Sequence, residues 1–517
     1  MTRGLPVVLL VCGVLAGASA CASAPIRKQD QALVVQADAR VLEGCYDCLR
    51  EARATYERLA VGKARPLLIT RLFEVQVLVG LREKELALDP SEAFGKAKAL
   101  VPELPSTYPA ARYLEVAGLV PPDFAGTPRS ELAPFRQARA PSAAQFDAIA
   151  AELRTGEGSP EFRSYLAASL ECAAVAANRR GAGAPPAIPA DAPPLVRYRL
   201  SLCPILRPSE LESLVTQVPQ FVEAQLFVAR QPTLAVTAAY VAKLRAALTA
   251  AQQRFPRSAS ITYGFGSLAQ TIGDCKAAVR HYEDTLTLKP VHEDATLQRA
   301  ICLTFLGQPV QAIEGTTTVI DRNYDNRADA YYWRAWNQRE RKNLLQARED
   351  IEAARKIRVN AKVLTLNGMI KYDQRELANA EKDFVGAIGM DSFQCIAHWY
   401  WGLVGFELEA WADTAPRFEG SSRCYKASAD DAVSKREAMR TADVDPDFKA
   451  AQIAGFDAAI KEDRDQEHAS YLNAANAWAR AGQTVKALEW LDKVPAESIH
   501  AGTAAQLRKI IGGGVRQ

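Results

Sequence analysis

Between residues 258 and 395 apolar positions recur at three- and four-residue intervals, in short blocks that each end on a turn residue or a proline. That period is helical, because side chains three and four apart share one face. The stretch GDCKAAVRHYEDTLTLKP, Gly273 to Pro290, opens on a glycine turn and closes on a proline. Small residues on the inner face of successive second helices fall at Ala278, Ala312, Ala347 and Ala380, spaced 34, 35 and 33 apart. In the first helices Gly266, Ala300, Ala335 and Gly368 show the same three spacings. Two series that move in step describe one repeated unit, a pair of antiparallel helices.

Those residues carry a family resemblance. The pattern resembles the tetratricopeptide repeat (TPR). Gly266, Gly273, Ala278, Tyr282 and Pro290 match its signature positions, as do Ala300, Leu303, Gly307 and Ala312 in the next unit. Ala335, Ala347, Ile351 and Ala354 follow, then Gly368, Ala380, Phe384 and Ala387. A looser unit surrounds Gly402, and Ala475, Gly482, Ala487 and Leu491 supply another near the end. The resemblance implies an all-α fold, a helical-hairpin repeat superhelix (a TPR-like α-solenoid) with a concave face made mainly by the first helices. Stacked hairpins of this kind bury a continuous core that one hairpin alone cannot.

The remainder is also helical by period. ALVVQADARVLEGCYDCLREARATYERLA reads as a degenerate hairpin turning at Gly44, and LLITRLFEVQVLVGLREKELAL as a longer apolar helix. Pro- and Gly-rich stretches at 121–134 and 179–194 read as loops. Residues 428–470 are strongly charged and read as two solvated helices joined at Pro446. The chain thus divides into 1–20, a signal; 21–30, a tether; 31–255, a degenerate all-helical region; 256–426, the repeats; and 427–517, charged helices with a C-terminal hairpin.

The N-terminus changes the picture of where this happens. MTRGLPVVLLVCGVLAGASACAS has one arginine, an apolar run and then small residues, the layout of a secretory signal. Ala18-Ser19-Ala20-Cys21 resembles a bacterial lipobox, which implies cleavage before Cys21 and lipidation of that cysteine. Alanine rather than aspartate follows at 22, which favours the outer membrane, facing the periplasm. Simple cleavage near Ala20 or Ala24, releasing a soluble protein, is the alternative. In the lipobox reading the membrane is met through the lipid anchor only.

Charge is nearly balanced, with Lys+Arg 63 against Asp+Glu 60, so no strong field for nucleic acid arises. Eight cysteines lie beyond the signal and Cys21, an even number in an exported chain. Repeat geometry brings Cys275 near Cys302 and Cys395 near Cys424, and Cys172 pairs with Cys203 by elimination. Each clip would contribute about 2–4 kcal/mol; buried free thiols are the alternative. Cys45-Tyr46-Asp47-Cys48 lacks the βαβ context of a redox motif, and Leu49 stands where haem attachment needs histidine. It reads as a local disulfide or a pair of structural thiols.

No catalytic motif is present among the five histidines, and no elbow, phosphate loop or dinucleotide fingerprint occurs. The expectation is a non-enzyme without metal or cofactor that binds protein or peptide partners. The candidate surface is the concave stripe Tyr263, Tyr332, Trp336, Arg339, Met369, Tyr372, Trp399 and Phe406, residue types that dominate interface energetics. A second reading is solute or glycan capture in a pocket of the N-terminal half, walled by residues 100–230.

Overall fold

The structure, a computed structural model, describes residues 28–60, 65–86, 88–120, 142–177, 187–203, 207–229, 237–323, 326–442 and 446–513. The signal and Cys21 lie outside them, as does the loop at 121–134. Every regular element among the described residues is a helix.

Five helix pairs follow one another from Ala259. The first unit is Ala259–Thr271 with Cys275–Leu288, the second Glu293–Phe305 with Pro309–Asp321, and the third Arg327–Glu340 with Leu344–Ile357. Ala361–Asp373 with Leu377–Met390 makes the fourth, and Cys395–Glu407 with Trp411–Thr441 the fifth. This is the repeat superhelix that the spacing predicts, and its sameness has a local cause at each turn.

In every unit the first helix ends on a residue in the left-handed region. Its N–H returns to the carbonyl three residues back, and the next N–H to the carbonyl five back. Gly273 and Asp274 do this to Gln270 and Ala269 at 3.0 and 2.9 Å, Lys342 and Asn343 to Arg339 and Gln338 at 2.8 and 2.9 Å. The pattern is a Schellman cap, which satisfies carbonyls that the helix end would leave unpaired. Gly273, Gly307 and Gly482 suit the conformation, but Lys342, Arg375 and Glu409 hold it at φ 63°, 66° and 55°. A Cβ there costs roughly 1–2 kcal/mol, so the cap and the packing of the two helices outweigh a local strain.

Within a unit the two helices meet at a pair of residues sixteen apart. A Cβ built on Gly266 would lie 2.6 Å from the ring of Tyr282, and one on Gly368 would lie 2.6 Å from Phe384. Gly402 stands in the same relation, at 2.6 Å, to Phe418. Ala335 faces the same core as Ile351, and Ala475 the same core as Leu491. Beside this contact runs a polar one in the same register. Arg334 pairs with Asp350 at 2.6 Å, and Asn367 donates to Asp383 at 2.8 Å.

The N-terminal half has no such repetition. Its helices surround Arg82, whose fully buried guanidinium pairs with Glu85 and, at 2.5 Å, with Glu223. Tyr198 lies under the same cation, its ring centre 4.2 Å away. Glu223 also accepts the N–H of Tyr46 at 2.8 Å, at the start of the helix Tyr46–Ala60. Buried charge is tolerated because each ion has partners. The apolar cluster of this half runs from Val34 through Phe255 to Ile261 and Leu268 without a break. Position 255 therefore separates no two cores.

The expected boundary at 426–427 falls inside the helix Trp411–Thr441, which packs antiparallel on Pro446–Arg480. These helices have 31 and 35 residues, so they are about 46 and 52 Å long. Their charged outer faces are solvated as the sequence predicts. Their inner seam is lined by small residues, with Ala429, Ala474 and Ala477 buried and Ser421 bonded to Ser470 at 3.0 Å. At the far end Met439 and Phe448 join the N-terminal core, and Gln452 donates to the carbonyl of Ile272 at 2.6 Å. The hairpin thus runs from the fifth unit back to the first.

Alanine normally stabilises a helix interior by about 1 kcal/mol over glycine. Gly368→Ala should instead destabilise by about 1–3 kcal/mol, because the methyl group meets Phe384. Adding Phe384→Leu should recover part of the loss. Denaturant midpoints of the three chains check both signs, and a stabilised single variant would refute the contact.

Candidate functional site

Of the eight stripe residues, six are half-buried and two are buried. Met369 is 4% exposed and Arg339 9%. This corrects the expected open surface. Arg339 is committed to Asp373 at 2.7 Å and to the Tyr400 hydroxyl at 2.8 Å, so it joins the third, fourth and fifth units. Met369 belongs to the apolar core against which Tyr332, Trp336 and Tyr372 pack. The superhelix brings first helices close enough that long side chains fill the wedge between them.

Tyr263 stacks on His292, with ring centres 5.0 Å apart. His292 caps the helix Glu293–Phe305 by accepting the Ala295 N–H on Nδ1 at 3.1 Å. Trp399 and Phe406 both turn to Phe418, at 5.4 and 5.3 Å. They flank the ring that fills the space left by Gly402. These aromatics serve packing first.

Trp399 has a second side, however. It forms one wall of a cavity of about 630 Å³ between the fifth unit and the helix Pro446–Arg480. Opposite stand Glu462, Gln466, Ala469 and Asn473, which share a helix face at intervals of four, three and four. Leu472 and Ile499 add apolar surface, and Ile499 is 71% exposed. Lys461 also lines it but is neutralised by Asp465 at 2.8 Å. Among the described residues no hydrogen bond or ion pair engages the side chains of Glu462, Gln466 or Asn473. An aromatic wall thus faces one uncompensated carboxylate and two free amides. Sequence reasoning missed these residues, although the four-three-four spacing was legible, because the surrounding charge masked it. A smaller cavity, about 90 Å³, lies between the third and fourth units beside Tyr332 and Asn360.

Six cysteines are joined in the structure as Cys172–Cys203, Cys395–Cys424 and Cys45–Cys48. The expected clip between Cys275 and Cys302 is not formed; these two are thiols. Among the described residues no group of three or more His, Cys, Asp or Glu is placed to hold a metal ion. No described helix is long and apolar enough to cross a membrane.

No family model matches the chain, and no curated protein matches its sequence. Solved helical-repeat structures resemble it in fold. The APC/C hetero-tetramer Cut9–Hcn1 is 11% identical, with a TM-score of 0.44 over 94% of this chain and 96% of that one. MamA is 20% identical, with a TM-score of 0.29 over 32% of this chain and 96% of that one. YrrB, described as a TPR protein with an unusual peptide-binding site, is 14% identical, with a TM-score of 0.26 over 51% and 97%. The likeness concerns the helical-repeat fold alone. The chain has an all-α, TPR-like fold.

Burial holds His292 neutral, with Lys289 nearby acting in the same direction, and lowers its pKa from 6.5 to about 4. The unfolded chain binds a proton between those values and the native chain does not. The contribution is therefore present above pH 6.5 and is lost as pH falls towards 4, on the order of 3 kcal/mol. His292→Asn keeps a cap acceptor without the titration. Its stability curve should be flatter than wild type across pH 4–6.5; parallel curves would sink the assignment.

Proposed function

We propose that the chain is a lipid-anchored scaffold of a bacterial cell envelope, held to the outer membrane through Cys21 and facing the periplasm. Its body binds an extended segment of a partner protein in the cleft between Trp399 and the helix Pro446–Arg480. The segment presents a basic side chain beside an apolar one. The observation that carries this reading is the chemistry of the cleft: an aromatic face and an unpaired carboxylate suit a cation, through ring quadrupole and ion pairing together. Gln466 and Asn473 suit the main-chain amides of an extended peptide, and Leu472 and Ile499 suit its apolar neighbour. The cavity volume lies within the range of ligand sites.

Catalysis forms no part of this proposal.

Two experiments test the two parts separately. A photo-crosslinking amino acid at Glu462 should yield a discrete adduct in intact cells, whereas the same group at Lys382, on an outward second helix, should not. Glu462→Lys with Gln466→Arg should abolish binding of the peptide identified in that adduct. Equal adducts from both positions would remove the cleft from the function. For the anchor, wild type should incorporate a fatty-acid probe, and Cys21→Ala should lose both the label and membrane sedimentation. An unlabelled wild-type chain would leave only the secreted, soluble reading.

A further inference from the structure

Cys275 and Cys302 come from neighbouring units. Cys275 is the first residue of the helix Cys275–Leu288, and Cys302 lies late in Glu293–Phe305. Their sulfurs are 2.7 Å apart, a spacing that leaves no room for another atom between them. The two environments differ. Cys302 is fully buried among Ala269, Ala278 and Tyr282, whereas Cys275 is half-exposed. Cys275 also stands at the first turn of its helix, where an incoming disulfide can reach its sulfur. Cys302 is closed off from solvent, and burial pushes its thiol up.

The three bonded pairs set this one apart. Cys45–Cys48 spans a single turn, and Cys395–Cys424 closes the hairpin of the fifth unit. Cys172–Cys203 ties Pro160–Ala177 to the end of the short helix Pro194–Ser201. None of them joins one repeat unit to the next. A bond between Cys275 and Cys302 would do so, fixing the angle between the first and second units.

We propose that Cys275 and Cys302 form a reversible covalent link between the first two repeat units, with Cys275 as the attacking thiol and Cys302 as the resolving one. The oxidant is a disulfide-bearing donor, a protein dithiol carrier in its oxidised form or a small disulfide. The Cys275 thiolate attacks one donor sulfur, forming a mixed disulfide and releasing the other sulfur as a thiolate. Cys302 then attacks Sγ of Cys275, its proton passing to the departing donor sulfur. Two protein thiols are oxidised, and one donor disulfide becomes two thiols. Addition of excess thiol runs the same exchange backwards.

The test is a glutathione redox series on the whole chain, quenched with acid, alkylated and mapped without reduction. As the buffer becomes oxidising, the alkylated Cys275 and Cys302 peptides should give way to one linked peptide, which reopens when the ratio is returned. In the reduced wild-type chain Cys275 should alkylate faster than Cys302, on the order of tenfold. Cys302→Ser should trap glutathione on Cys275, and Cys275→Ser should leave Cys302 unmodified. Two thiols that stay alkylatable while the other three pairs are bridged would overturn the link. Faster alkylation of Cys302, or its glutathionylation in Cys275→Ser, would overturn the assignment of roles. The wild-type measurements decide the matter even where a serine variant folds poorly.

Discussion

The repeat region depends on one steric constraint, the meeting of a small residue on the first helix with a larger one sixteen positions later. Helices pack 8–10 Å apart according to the side chains at the crossing. Here the two volumes compensate. Glycine at 266, 368 and 402 faces Tyr282, Phe384 and Phe418, while alanine at 335 and 475 corresponds to Ile351 and Leu491; the second unit instead sets Ala300 against Gly315. In the other units similar summed volume keeps the helix pairs alike, and alike pairs stack at a repeated angle. The curvature that buries Arg339, and the cleft beside Trp399, follow from that repetition.

Much of this architecture was legible because spacing survives when identity does not. The intervals of 34, 35 and 33 marked the units even where the turn glycine had become Lys342, Arg375 or Glu409. Backbone hydrogen bonds alone restore the turn there, and no side-chain signature reports them. Position within a helix also revealed which residues face the repeat's inner curve. It could not reveal how far that curve closes, so Arg339 and Met369 read as open when they are interior. The two helices joined at Pro446 were legible, but the seam along which they pack was hidden for a different reason. That seam is alanine and serine under a heavily charged exterior, and mean polarity suggested a solvated segment.

The N-terminal half shows what happens when spacing is lost. Arg82, Glu85 and Glu223 are distant or ordinary in sequence, yet they occupy one interior site with Tyr198. Removing one partner would strand a charge out of water, so the cluster constrains which helices can neighbour each other. Glu223 adds a further restraint by accepting the first N–H of the helix that carries Cys48. Registry in this half is set by charge, and registry in the repeats by volume.

The returning hairpin alters the thermodynamic character of the molecule. A linear solenoid can lose its end units one at a time, since each touches only its neighbours. Here the fifth unit is continuous with a helix whose far end lies against the first, at Ile272 and in the core around Met439 and Phe448. Fraying from the C-terminal side must also release that distant contact. The array is tied into a circuit, and the slowest amide exchange is spread around the circuit rather than concentrated at its middle.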